Sequence, residues 1–212
     1  MPRDLSDGDI KAFRERLCRV AEKLFAEQGT QAVTMRQLAR ALGVSAMTPY
    51  RYFQDKDEIL AAVRAAAFVR FASALEQAAA PEGNAQARAE AVGRAYLDFA
   101  FGEPNAYKLM FDVNQPDAGR FLELARAGRR ARKTMTAYMK ELVAGGYLAG
   151  DPEVLGQIFW AMVHGLVMLH LTGRLDPKPD FATLHRTAMR LLVSGAVASA
   201  REAARRKQRR AS

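Results

Sequence analysis

Arg36, Thr48, Tyr50, Tyr52 and Lys56 bring two cations, two phenols and a hydroxyl into one short stretch, interleaved with an apolar frame. Such donors suit phosphate oxygens, which fix a protein on a nucleic acid without reading its sequence. Between them lie Ala46, Met47 and Thr48, small or flexible side chains at the start of a short predicted helix. A helix of that kind fits the major groove with its first residues nearest the base edges. Thr34 and Met35 open the preceding helix, whose first amides can meet a phosphate.

A second group lies far along the chain. Trp160 and His164 are four residues apart and share a helix face, and Gly165 permits close approach of another helix. A lone histidine on an apolar helix is more often a core or interface residue than a ligand contact, and that reading leads. Tyr96, Phe101, Tyr107, Met110, Phe111, Met135, Tyr138 and Met139 recur at helical spacing, so most of them belong to a core. Tyr96, Phe101, Tyr107, Phe111, Met139, Trp160 and His164 are the candidates for lining a cavity instead. Periodicity does not separate lining from filling.

Glycine-rich phosphate loops, metal-ligand spacings and cofactor motifs are missing, and His164, His170 and His185 have no paired nucleophile nearby. No catalytic residue, metal or cofactor is therefore expected. Two other readings compete with a DNA-binding one. An enzyme would use His164 as a base in the second half. A recruiting module would use DNA only as an anchor for a protein partner.

These groups need elements to hold them. Ile10, Phe13, Leu17, Val20, Leu24 and Phe25 recur at spacings of mostly three and four, predicting a first helix over 9–27 that ends near Gly29. Thr34 caps a second helix ending at Leu42 and Gly43, and Ser45 caps a third carrying Met47 to Phe53. Leu38, Ala39, Leu42, Val44 and Phe53 form the small core between them. Asp55 caps a long fourth helix, 56–80. Helices follow over 85–101, 104–111, 117–144, 153–171, where Asp151 and Pro152 make an N-cap and first position, and 181–204. The fold expected is all-α: a three-helix DNA-binding domain and a helical bundle, about nine helices in all. The lobes are expected over 1–58 and 59–204, with 205–212 a solvated, disordered basic tail.

The chain has 212 residues, half of them hydrophobic, and a net charge of +9. That charge is unevenly placed. Residues 1–60 carry ten Lys/Arg against nine Asp/Glu, whereas 120–140 carry seven against one and 201–212 six against one. Bulk charge therefore does not identify the DNA-reading segment. Cys18, the lone cysteine, excludes an internal disulfide framework and reads as a small buried hydrophobe. The longest apolar run, Ile158 to Leu171, is shorter than a membrane span, and the acidic N-terminus is unlike a secretory signal. A cytoplasmic protein with no membrane partner is expected.

The stretch TMRQLARALGVSAMTPYRYF, residues 34–53, followed by QDKDEIL, 54–60, resembles the TetR family of bacterial regulators. Ala21, Leu24, Phe25 and Gly29 extend the likeness over 9–60. The resemblance implies a homodimer that grips a palindromic operator in double-stranded DNA. It carries DNA contacts to Thr34, Arg36, Ala46, Met47, Thr48, Tyr50, Tyr52 and Lys56. Pro49 departs from the leucine usual in the family, and Met47 from a glycine or proline. In the second lobe, Trp160, His164 and Gly165 resemble a Trp-His-Gly subclass, as does YLDFAFGEPNAYKLMF, 96–111. The family implies a second lobe for dimerisation, through 153–171 and 181–204, and for a small-molecule effector that releases a repressor. Leu155, Phe159, Met162, Leu166, Leu184, Ala188, Leu191, Leu192 and Gly195 are the expected interface positions.

Overall fold

The computed structural model describes residues 6–80, 83–113 and 119–211, the last stretch from 198 onward by backbone alone. Local signals place its helices. In α1, Asp7–Gln28, Ser6 accepts a hydrogen bond from the Asp9 amide while Asp9 accepts one from the Ser6 amide, a reciprocal cap. Two acids in the first turn suit the positive end of its dipole. α2, Met35–Ala41, begins with the same device built from Thr34 and Gln37. α3, Lys56–Ala79, is capped by Asp55, which accepts from the Glu58 amide at 2.8 Å. α4, Ala85–Gly102, α5, Pro104–Met110, and α6, Leu122–Ala144, follow. α7, Pro152–Leu171, starts as expected, with Asp151 accepting from two amides. α8, Phe181–Ala211, completes the order.

The all-α architecture is as expected, with eight α-helices and no strand among the described residues. Three boundaries differ. The third expected helix is a single 3-10 turn, Pro49–Arg51, because Pro49 has no amide to donate back to Ser45. α6 starts at Leu122 rather than residue 117; residues 114–118 lie outside those described. α8 runs on through the basic segment 205–210 to Ala211. In addition, α7 begins at Pro152, ahead of the apolar run, and is long and apolar enough to cross a membrane by length and composition. Here Gly156, Phe159 and Val167 bury one side of it in protein.

The chain forms two compact units, Met1–Phe71 with Glu103–Arg130, and Ala72–Gly102 with Ala131–Ser212. The first has a core of Leu17, Ala21, Phe25, Leu38, Phe53 and Ile59, with Leu109 of α5 packed into it. The second is centred on Met139, Leu142, Leu148, Phe159 and Ala196.

Gly156 sets the closeness of α7 to α6. A Cβ there would lie 2.8 Å from Thr136 Cγ2 and 3.0 Å from its Cβ, so any side chain forces a shift. Gly156→Val is expected to cost about 1–3 kcal/mol by overpacking, read as a lowered thermal midpoint. An unchanged midpoint would mean that α7 moves away freely.

Candidate functional site

The first unit presents Met47 and Tyr50, 69% and 49% exposed, on the segment that includes the 3-10 turn. Gly43 makes that placement possible: its φ of +69° turns the chain sharply after α2, at little cost only for glycine. Ala46 is exposed and Thr48 half-buried, its hydroxyl 2.9 Å from that of Ser45. Ser45 therefore bonds a side chain rather than capping a helix, and the turn has no side-chain cap. Pro49 is buried. Of the expected small core, Leu38, Ala39 and Phe53 are buried, while Leu42 and Val44 are half-buried.

The turn is held from behind. The Arg14 guanidinium lies over the Phe53 ring, 3.9 Å from its centroid, and donates to the Tyr52 carbonyl and to Glu58. Glu58 also accepts from the Gln54 amide at 2.7 Å. Arg36 is exposed, Thr34 caps α2, and Lys56 donates to the Gln31 carbonyl at 3.1 Å. Tyr52 stacks on Phe13, with ring centroids 4.1 Å apart, so its ring is partly a packing element. The structure thus brings the eight expected DNA contacts into one unit around a short turn.

Sequence reading missed Arg14, Glu58 and Arg120. Arg120 forms an ion pair with Asp55 at the start of α3. That hydrogen bond holds the Asp55 carboxyl below the usual carboxylate range, with the Glu58 amide helping against burial. No local motif announces such a pair across sixty-odd residues of chain.

The second unit contains a cavity of about 790 Å³. α4 contributes Val92, Gly93, Tyr96 and Leu97, and α6 contributes Met135, Tyr138, Met139 and Leu142. Phe159, Trp160 and Val163 of α7 face Met189 and Val193 of α8 across it. Of the seven expected lining residues, Tyr96, Met139 and Trp160 are there. His164 is beside Trp160, ring centroids 5.8 Å apart, but does not line the cavity, and burial lowers its pKa. Phe101 packs on His170 and Phe181. Tyr107 and Phe111 belong to the first unit, where Phe111 meets Phe68 edge-on. Their helical spacing marked the burial of Tyr107 and the half-burial of Phe111 but not the unit in which they pack. Sequence reading also missed the α8 wall, including His185 and Arg186.

A third surface is apolar and exposed. Val154, Ile158 and Leu169 lie along one side of α7, and Leu191 of α8 is 66% exposed. A Cβ on Gly165 or Gly195 would meet nothing within 4 Å. Phe159, expected at an interface, is instead buried in the second core, against which Leu155 and Leu192, also expected at the interface, pack in part.

Comparison with known proteins places these features. Residues 17–63 match the family model for bacterial regulatory proteins of the tetR family, and residues 89–194 match that for the tetracyclin repressor-like C-terminal domain. An HTH-type transcriptional regulator of Staphylococcus aureus is 39% identical over 51 residues, which are 24% of this chain and only 28% of that relative. A Rhodococcus sp. RHA1 protein of unknown function is 28% identical, with a TM-score of 0.74 over 93% of this chain and 99% of its own. FadR of Bacillus subtilis, solved with stearoyl-CoA, shares the fold at 19% identity, with a TM-score of 0.71 over 85% of this chain and 98% of its own.

The Asp55–Arg120 pair gives a pH-dependent expectation. A carboxyl whose folded pKa is lowered adds stability above its unfolded pKa, and that stability is lost as pH falls through the folded value. Arg120→Ala is expected to lower the thermal midpoint at neutral pH, with the gap from the parent closing below the usual carboxylate range. A gap that persists in strong acid would assign Arg120 a role other than charge.

Proposed function

Because the chain belongs to the TetR family of bacterial transcriptional regulators, with its helix-turn-helix DNA-binding segment, we propose that it is a homodimeric repressor. It binds a palindromic operator and leaves it when a small molecule enters the second-unit cavity. Residues 1–58 then serve DNA binding, and 59–204 serve pairing and the effector. The Trp-His-Gly subclass is part of the same reading, carried by Trp160, His164 and Gly165.

One observation carries the DNA-binding part: the turn at Pro49–Arg51 exposes Tyr50 and Arg51 over buried Pro49 and Phe53, with half-buried Arg14 lying on the Phe53 ring. Met47 and Thr48 then approach base edges, while Tyr50, Tyr52, Arg36, Lys56 and the Thr34 end of α2 meet phosphates. Ala46 is small enough to allow close approach. Tyr50→Ala with Lys56→Ala is expected to weaken binding to all sequences. It should also flatten the dependence of log K on log salt by about 0.9 per lost phosphate contact. Met47→Ala is expected to change which operator is selected from random DNA. Unaltered affinity and salt slope in the first variant would overturn this docking.

Pairing is supported by the side of α7 that the chain itself leaves bare. Val154, Ile158, Gly165 and Leu169 lie along one side of α7, and Leu191 of α8 is exposed as well, apolar surface that a second copy can cover. Ile158→Glu with Leu191→Glu is expected to yield helical monomers by sedimentation, with operator affinity reduced. A dimer that survives both charges would move the interface elsewhere.

The effector reading rests on the cavity, whose size falls within the range of sites for organic ligands. FadR of Bacillus subtilis, with this fold, was solved with stearoyl-CoA. A ligand releases DNA only by its differential affinity for two states of the protein.

A further inference from the structure

The cavity's charged lining groups are few and exposed, whereas much of its apolar lining is buried. Its interior is built from methionine, leucine, valine and aromatic side chains, a lining that excludes a hydrated ion or a sugar. Among the lining residues, the formal charges are Glu90 and Arg94 on α4 and Arg186 on α8. Glu90 already accepts a hydrogen bond from the Gln86 amide at 3.1 Å. Arg94 and Arg186 are both exposed, and they come from different helices. Arg186 also lies in the field of Asp180, whose carboxylate accepts from the Thr183 amide at 2.9 Å.

The remaining polar groups inside are neutral. Burial pushes the Tyr138 phenol up to about 12, so it remains a hydrogen-bond donor at pH 7. Burial likewise lowers the His185 pKa, which favours uncharged imidazole. A ligand body placed among them needs no charge, whereas a ligand end at the exposed arginines meets two guanidinium groups, with Glu90 held by Gln86 and Asp180 in the field of Arg186 alone. Arginine presents a planar fork that matches a carboxylate bidentately.

From this segregation we infer that the cavity takes an amphipathic organic carboxylate, its apolar body among α4, α6, α7 and α8 and its head at Arg94 and Arg186. The inference rests on the reading of the cavity as the effector site and adds the ligand's chemical class. A cationic amphiphile is disfavoured because it would leave two arginines facing its head. A neutral one leaves both arginines without a role.

The test is calorimetric titration of the intact protein with laurate, dodecanol and dodecylamine below their aggregation thresholds. Pyrenebutyrate and pyrenebutanol, added as a second pair, separate head-group recognition from the fit of one chain shape. Each carboxylate is expected to bind about tenfold tighter than its alcohol, the sum of two partly exposed ion pairs. Arg94→Gln with Arg186→Gln should bring each pair within about twofold while leaving the alcohol's affinity unchanged. Both positions are exposed, so the fold tolerates the exchange.

Equal binding of carboxylate and alcohol, or tighter binding of the amine, overturns the inference. If no probe in the series binds, Nile red distinguishes the causes. Nile red fluorescence that is lost in Met139→Trp shows an accessible cavity and sinks only the carboxylate class. No Nile red binding to the parent protein sinks the cavity reading itself.

Discussion

A single turn of 3-10 helix holds too few hydrogen bonds to fix its own direction. Everything that the outward face of Pro49–Arg51 can do therefore depends on the buried contacts beneath it. Pro49 and Phe53 sink into the first core, and Arg14 covers Phe53 while gripping the Tyr52 carbonyl. Glu58 then ties Arg14 and the Gln54 amide together at the start of α3. This is a positional network: buried Pro49 and Phe53 and half-buried Arg14 and Glu58 underlie the exposed Tyr50 and Arg51.

The same economy governs charge. The net +9 is concentrated beyond residue 60, and the segment proposed to meet DNA has Arg36 and Lys56 for its cations. Several other cations serve structure. Arg70 bridges Glu22 and Glu103 within the first unit, and Arg88 holds Glu141 within the second. Arg64 is fully buried 3.8 Å from Asp112, its pKa lowered by desolvation despite that carboxylate. Counting charges would have credited all of them to nucleic acid.

Local chemistry was legible in the sequence. Thr34, Asp55 and Asp151 cap the helices they were expected to cap, because a capping side chain bonds amides within three residues of itself. Pro49 was visible as a departure, but not its consequence. A helix interrupted in its first turn and a turn that never becomes an α-helix differ in hydrogen bonds that periodicity does not report. Tyr107 and Phe111 show the second limit. Helical spacing says that a residue is buried, and the choice between two cores depends on which segments of chain come together. The α8 wall of the cavity failed for the same reason: His185 and Arg186 acquire a role only opposite α4.

α7 joins the two properties proposed for the second unit. Its Phe159, Trp160 and Val163 line the cavity, and its Val154, Ile158 and Leu169 lie on the bare apolar strip. A rigid helix cannot shift one side without shifting the other, and Gly156 leaves it in close contact with Thr136 of α6. A molecule entering the cavity therefore presses on the surface through which a second subunit would pack. Close-packed interiors transmit such displacements rather than absorb them. Under the proposed function, effector binding and subunit pairing would be linked equilibria through α7, and linkage makes any such coupling reciprocal: the factor by which the ligand changes pairing affinity is the factor by which pairing changes ligand affinity.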